Sequence, residues 1–322
     1  MKRALKWIGD ALSPKDIVSG KSFYRVADQE IRATDGHLIA GHPWPSDVEF
    51  VVPGEEFEKT FARMPDEPTI ETILNGIKIK EGRLSGSIST LSLDKWAYPG
   101  VDDASWQTLP KALLPILTAL RPFISDNAMQ KWATCVALEN GWAYATNNVA
   151  LAGAPCKGLG SIMALLPGWA VDFVIKRAEG LSLWAWTPNY VAFKWDNGAW
   201  MRSALVVGQF PERAAELVRA AANEKPRQKI DDDFRKAFNS IAFMAEDTVE
   251  IYKDHMVARF KQAESAADIK CQVPKDHECS IWGATYLIPA INAATHWDPA
   301  TWPKPVPFKG EVVVGLVLGR RA

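Results

Sequence analysis

An α+β fold used more than once, with two helices packed on antiparallel sheet in each copy, is what this sequence predicts, and three observations carry the prediction. The chain repeats itself: Ile31-Arg32-Ala33-Thr34-Asp35-Gly36-His37-Leu38-Ile39-Ala40-Gly41 returns as Ala143-Tyr144-Ala145-Thr146-Asn147-Asn148-Val149-Ala150-Leu151-Ala152-Gly153, with Thr34 and Thr146 standing 112 positions apart. Val52-Pro53-Gly54 returns as Leu166-Pro167-Gly168, and Tyr98-Pro99 as Phe210-Pro211, at nearly the same spacing. Between these landmarks, amphipathic helical stretches alternate with short strand-like runs. A period of this length is a small domain, not a solenoid unit of about 20–50 residues.

The elements follow in order. The stretch Ala4-Leu5-Lys6-Trp7-Ile8 opens the chain as a helix, and Pro53-Gly54 starts another whose Phe57, Phe61 and Met64 share one face. In the second copy, Lys111 to Arg121 buries Leu113, Leu117 and Leu120, and Pro167-Gly168 starts a helix running to Arg177. Strands are expected at Lys131 to Glu139, Gly141 to Gly153, Leu181 to Thr187, Tyr190 to Trp195 and Trp200 to Gly208, broken by Glu139-Asn140-Gly141, Pro188-Asn189 and Asp196-Asn197-Gly198. A third copy fits the remainder. Phe234 to Phe243 reads as a helix, Thr248 to Phe260 as two strands around Asp254-His255, and Ile281-Trp282-Gly283 leads into a helix ending near Ala294. Three domains result, 1–102, 109–222 and 227–322, with two helices on one face of an antiparallel sheet in each.

Composition narrows the function. At 322 residues, with 48% hydrophobic and 23% charged residues, the chain suits a soluble protein of two or three domains. No apolar run reaches the roughly 18 residues of a membrane span, and Met1-Lys2-Arg3 leads into an amphipathic helix, not a signal-peptide core, so a cytoplasmic protein is expected. The four cysteines (Cys135, Cys156, Cys271, Cys279) are scattered, and Cys271 and Cys279 flank His277 without a paired metal spacing. There is no Walker-type loop, no Gly-x-Ser-x-Gly elbow and no metal-binding His pair, so no catalytic residue, cofactor or metal is expected. Asp231-Asp232-Asp233 opens a helix and is better explained by N-capping and the helix dipole than by paired acid–base chemistry.

A net charge of −1 argues against a protein that merely coats nucleic acid, so the placement of the cations matters. Lys59 and Arg63 lie opposite the Phe57–Phe61–Met64 face, Arg235, Lys236 and Asn239 lie opposite Phe234–Phe238–Ile241, and Lys111 and Thr118 face outward with Arg121 near the boundary. Each helix alone reads as a solvated face. Their recurrence at equivalent places in a repeat points instead to a shared basic surface.

In the order and spacing of its motifs the chain resembles the bacterial-type DNA polymerase sliding clamp, the replicase β subunit, in a bacteriophage-like version. The residues that carry the resemblance are Ala33-Thr34-Asp35 and Ala145-Thr146-Asn147, the two Pro-Gly helix starts, Gly208-Gln209-Phe210-Pro211, and the apolar strand Val312 to Leu318 ending in Gly319-Arg320-Arg321-Ala322. The resemblance implies three clamp domains per chain, a homodimeric ring and inner helices facing duplex DNA, held through phosphates without base readout. It places Lys59, Arg63, Lys111, Arg121, Lys176, Arg177, Arg235 and Lys236 in the DNA channel, with Lys2, Lys6 and Lys15 as further candidates. It also implies a pocket in which DNA polymerase and clamp loader insert short linear motifs, walled here by Thr146, Asn148, Val149, Ala150, Leu151, Pro211, Leu316, Leu318, Gly319 and Arg320. Asn147-Asn148-Val149-Ala150 stands for the family's Asp-Gly-His-Arg, and Leu318-Gly319-Arg320 for a Met-Pro-Met ending, which makes the pocket less charged. Interior packing is the alternative role for Val149, Leu151, Leu316 and Leu318. The N-terminus lacks the strand that usually precedes the first helix, and the third domain is short, so ring closure is a separate question from the fold. The rival functions are a clamp-like interaction module or decoy that occupies replisome partners without encircling DNA, and a repeat-built enzyme of unrelated fold.

Overall fold

The computed structural model describes residues 1–12, 22–64, 68–126, 128–245, 248–260, 263–268, 270–271, 273, 275 and 277–320. Lys15, Arg321 and Ala322 lie outside the described residues. The chain packs as two units, 1–109 with 176–205 and 110–175 with 206–322. The helices are α1 Lys2–Ile8, α2 Gly54–Ala62, α3 Leu113–Leu120, α4 Gly168–Lys176, α5 Glu212–Ala221, α6 Asp232–Met244 and α7 Ala284–Ala293.

The first unit is built on an eight-stranded antiparallel sheet in the order Phe50–Pro53, Phe23–Ala27, Glu30–Thr34, Leu38–Pro43, Trp200–Ala204, Tyr190–Trp195, Leu181–Trp186, Gln107–Thr108. The second unit repeats that pattern with Met163–Pro167, Cys135–Glu139, Trp142–Thr146, Ala150–Pro155, Val314–Val317, Val306–Gly310, Ala294–Trp297, Gln228–Lys229. Each sheet therefore joins strands far apart in sequence, and the two joints share one register. Gly41 and Ala40 oppose Trp200 and Met201, while their repeats Gly153 and Ala152 oppose Val314 and Gly315. Two smaller sheets complete the fold: Thr69–Ile73, Gly76–Glu81, Leu84–Ser89 in the first unit, and Ala263–Asp268, His255–Phe260, Thr248–Tyr252, Cys279–Gly283 in the second.

Local chemistry accounts for the elements. Asn140 (φ 50°) and Gly141 (φ 80°) adopt the left-handed conformations that a tight two-residue hairpin demands. Asp231 caps α6, its carboxylate accepting from the Phe234 amide at 2.8 Å, as the acidic run predicts. The apolar stripes Phe57–Phe61–Met64, Leu113–Leu117–Leu120 and Phe234–Phe238–Ile241 are all buried. Three expectations are corrected. Residues Lys131–Thr134 form a 3₁₀ turn ahead of the strand, with the Ala133 amide on Gln130 O. The run from Trp200 leaves its sheet after Ala204, because the Val206 amide turns to Leu165 O. Helix α5 falls where only the end of a domain was expected, although Ala215, Val218 and Ala221 recur at helical spacing and are buried.

Candidate peptide groove and basic helix faces

The repeated Ala-Thr-Asp/Asn segment turns out to be a turn with the same hydrogen bonds in both copies. Thr34 Oγ1 donates to Leu38 O at 2.7 Å and accepts from the Gly36 amide, while Asp35 Oδ1 accepts from the His37 and Leu38 amides. Thr146 Oγ1 donates to Ala150 O at 2.8 Å and accepts from the Asn148 amide, while Asn147 Oδ1 accepts from the Val149 and Ala150 amides. Both threonines are buried, which is why a hydroxyl satisfied on both sides is used there. Asn148 takes the left-handed position (φ 74°) that Gly36 takes in the first copy (φ 92°), a conformation Asn tolerates better than most residues.

This turn fixes one wall of the candidate groove. Leu151 opposes Leu316 across the joint, Ala150 opposes Val317, and the Leu318 amide donates to Val149 O at 3.0 Å. The Asn148 amide group donates to Gln130, beside which Met129 is almost fully exposed. Leu318 is 43% exposed, whereas Leu151 is half-buried against the core cluster that contains Tyr144, Phe210, Val218 and Val314. Phe210 stacks on Tyr144 with ring centroids 5.5 Å apart, and Pro211 caps the N-terminus of α5, which covers this cluster. Burial raises the Tyr144 phenol above its ordinary pKa, with Arg219, which donates to its hydroxyl at 2.9 Å, opposing that rise. Gly319 lies flat against the buried Trp302 indole, where any Cβ would overlap the ring, and the Arg320 amide bonds Ile281 O at 2.8 Å.

All ten residues expected to wall the groove fall in one unit: Ala150, Leu151 and Leu316 on the joint strands, Thr146, Asn148 and Val149 in the strand end and turn before them, Leu318, Gly319 and Arg320 just after the terminal strand, and Pro211 at the head of α5. Sequence reasoning missed Trp302 and Tyr286, the latter packed beside Gly283 close to the Arg320 side chain. Helical spacing offered a signal for Tyr286, three residues after Gly283; nothing local marked Trp302.

The same joint in the first unit is clamped. There Arg202 stands where Leu316 stands in the second, stacks on Tyr190 at 3.7 Å, and holds the linker through Gly100 O (2.8 Å) and Asp103 (3.0 Å). The two joints thus differ in one side chain at the same register position, an arginine that clamps the linker in the first unit and a half-buried leucine in the second.

The expected cations separate into kinds. Lys111, Lys236 and Arg63 are exposed, with no ion pair among the described residues. Lys59 pairs with Glu55, Arg235 with Asp232 (2.8 Å), and Arg121 with Asp172 (2.6 Å) and Asp126 (3.2 Å). Lys176 is exposed and paired with Asp10. Arg177 is not outward at all: it is buried, donating to Trp7 O at 2.8 Å and pairing with Asp10 at 2.7 Å. It follows the buried Phe173 and Val174 by four and three positions, so helical spacing puts it on the inner stripe. Among the described residues no group of His, Cys, Asp and Glu is arranged to hold a metal, and no helix is long and apolar enough to cross a membrane.

No protein-family model and no curated protein matches the chain. Solved structures do, along the whole of it. A DNA polymerase sliding clamp from Pseudomonas aeruginosa matches with a TM-score of 0.79 at 13% identity, covering 100% of this chain and 97% of that one. The β subunit of the Streptococcus pyogenes DNA polymerase matches at 0.80 and 14% over 100% and 97%, and the C. crescentus β sliding clamp at 0.80 and 16% over 100% and 96%. Likeness at this identity establishes the fold: helices packed on antiparallel sheets in the arrangement of the sliding clamps.

Proposed function

We propose that this chain is a DNA polymerase processivity factor: three clamp domains, 1–102, 109–222 and 227–322, two copies of which close a ring around duplex DNA and tether the polymerase through the groove at Leu151 and Leu316. The observation that carries the ring is the set of unfilled edges. At each internal joint the last strand of a three-strand run pairs with the third strand of a four-strand run, Trp200–Ala204 with Leu38–Pro43 and Val314–Val317 with Ala150–Pro155. Two strands of the same kinds, Leu84–Ser89 and Ala263–Asp268, have no strand partner on their outer sides among the described residues. An unpaired edge is a template for another chain. Pairing these two between copies in the register of the internal joints is a head-to-tail contact that two copies satisfy by closing on each other. A decoy that never encircles DNA has no use for such matched edges.

The groove supplies the second half of the function. Its apolar wall of Leu151, Leu316 and Leu318 suits one or two buried anchors of a short linear motif from a polymerase or clamp loader, with Arg320 and Asn148 at the rim for orientation. The action is scaffolding in the cytoplasm, without chemistry of its own. The similar solved structures are bacterial, so the bacteriophage-like version rests on the sequence departures alone.

The shared register puts Ser85 of one copy opposite Ala266 of the other, which gives a direct test. Under oxidation, Ser85→Cys with Ala266→Cys is expected to yield a covalent dimer, since directly opposed residues lie about 4.5–5.5 Å apart. That dimer, formed on nicked circular DNA, stays on it through a high-salt wash and slides off once the circle is cut. A chain that stays monomeric at every concentration, or a covalent dimer that leaves circles and linear DNA equally fast, refutes the ring.

A further inference from the structure

Phe243 is 86% exposed at the end of α6, an unusual position for a large apolar ring, and the repeat shows what its counterparts do. The first helix of each copy carries a buried apolar pair three residues apart near its end, Leu5 and Ile8 in α1, Leu117 and Leu120 in α3, Phe238 and Ile241 in α6. The residue two places beyond that pair is Asp10, Pro122 and Phe243 respectively. Asp10 meets the end of α4, pairing with Lys176 and Arg177; Pro122 shares a cavity wall with Pro289 and Asn292 near the end of α7. At both internal joints, then, this position lies by the last turns of a second-type helix, paired with it in the first and across a shared cavity from it in the second. Among the described residues Phe243 is left without such cover.

The unpartnered second-type helix is α2. It has the nine-residue length of α4, and both start at Pro-Gly, which makes Arg63 the counterpart of Arg177. The buried face of α4 that ends on Arg177, with Ala170, Phe173 and Val174, corresponds on α2 to Glu56, Lys59, Thr60 and Arg63, of which only Thr60 is even half-buried. Arg177 spends its guanidinium on the Trp7 carbonyl at the end of α1 and on Asp10. Its counterpart Arg63 is exposed without an ion pair among the described residues.

We propose that Arg63 of one copy closes on Phe243 and the last-turn carbonyls of α6 in a second copy, so that Arg63 locks the ring joint instead of holding DNA. The contact replaces the Asp10–Arg177 ion pair with a guanidinium over an aromatic face, a pairing favoured when both are removed from water. The inference rests on the ring reading above and adds to it the residues of the helix contact.

The experiment measures the dimer dissociation constant by analytical ultracentrifugation. Phe243→Lys and Arg63→Glu are each expected to raise it about tenfold or more. The double variant Arg63→Glu/Phe243→Lys restores the dimer, and Phe243→Asp, which rebuilds the internal Asp10–Arg177 arrangement, keeps it. Both positions are exposed in the single chain, so unchanged melting temperatures show that the variants fold. Placed in the disulfide-closed Ser85→Cys/Ala266→Cys ring, Arg63→Glu leaves retention on circular DNA at the level of the parent ring. A parent dimer that tolerates Phe243→Lys, or a closed ring that loses DNA through Arg63→Glu, overturns the contact while leaving the ring intact. A parent chain that never dimerises overturns both.

Discussion

Single residues at the groove separate function from packing. Leu318 is exposed and Leu151 packs against the cluster that contains Tyr144 and Phe210, so the same substitution has two outcomes. Leu318→Asp is expected to keep the melting temperature and to weaken a polymerase-derived peptide tenfold or more, read by titration calorimetry. Leu151→Asp brings an unpaired carboxylate against the aromatic cluster, at a cost of roughly 2 kcal/mol or more, and lowers the melting temperature as well. Equal effects of the two on stability would mean that Leu318 is also interior. Gly319 answers to a different constraint. Its missing side chain lets the terminal strand lie on Trp302, and Gly319→Ala forces strand and indole apart for about 1–3 kcal/mol, visible in a denaturant melt.

At the scale of elements, the attachment of α1 is an electrostatic latch. Burial raises the Asp10 carboxyl, but hydrogen bonds from Lys176 and Arg177 outweigh that and hold it below the usual aspartate value. A carboxylate whose folded pKa is depressed stabilises the fold above its unfolded value, near 3.9, and that contribution is lost as the pH falls through the folded pKa. Melting temperatures of the parent and Asp10→Asn are therefore expected to differ at pH 7 and to converge in acid; a constant gap down to pH 2 would refute the latch. Cys135 and Cys156 illustrate the opposite direction, since burial pushes both thiols up to about 11 and leaves little thiolate at neutral pH.

For the whole molecule the proposed hold on DNA depends on the charge distribution. Of the cations expected to face it, Lys111 and Lys236 are exposed and unpaired among the described residues, whereas Arg177 is committed to the fold. Lys111→Glu with Lys236→Glu should shorten retention on circular DNA and reduce the salt slope by about one per lost phosphate contact, with melting unchanged. Arg177→Glu should instead lower the melting temperature by burying a carboxylate beside Asp10 and the Trp7 carbonyl. If the lysine pair leaves retention as it was at every salt concentration, those faces are ordinary solvated surface.

The repeat, the hairpin at Asn140-Gly141, the Asp231 cap and the apolar stripes of α2, α3 and α6 were legible in the sequence, because each depends on residues within a few positions of one another. The ten residues expected to wall a groove came through resemblance to a family, and nothing in the spacing of Leu151 and Leu316 announces that they oppose each other across a strand pair. Helix α5 and the inward turn of Arg177 had a helical signal that the repeat overshadowed. What only the tertiary structure decided is how strands more than a hundred residues apart are joined: Arg202 clamping one joint, Leu316 facing Leu151 at the other, Trp302 demanding a glycine at 319, and Phe243 left exposed. Local propensity and periodicity set the conformation of a segment, whereas its partner is chosen by packing and register across the whole chain, which no local pattern records.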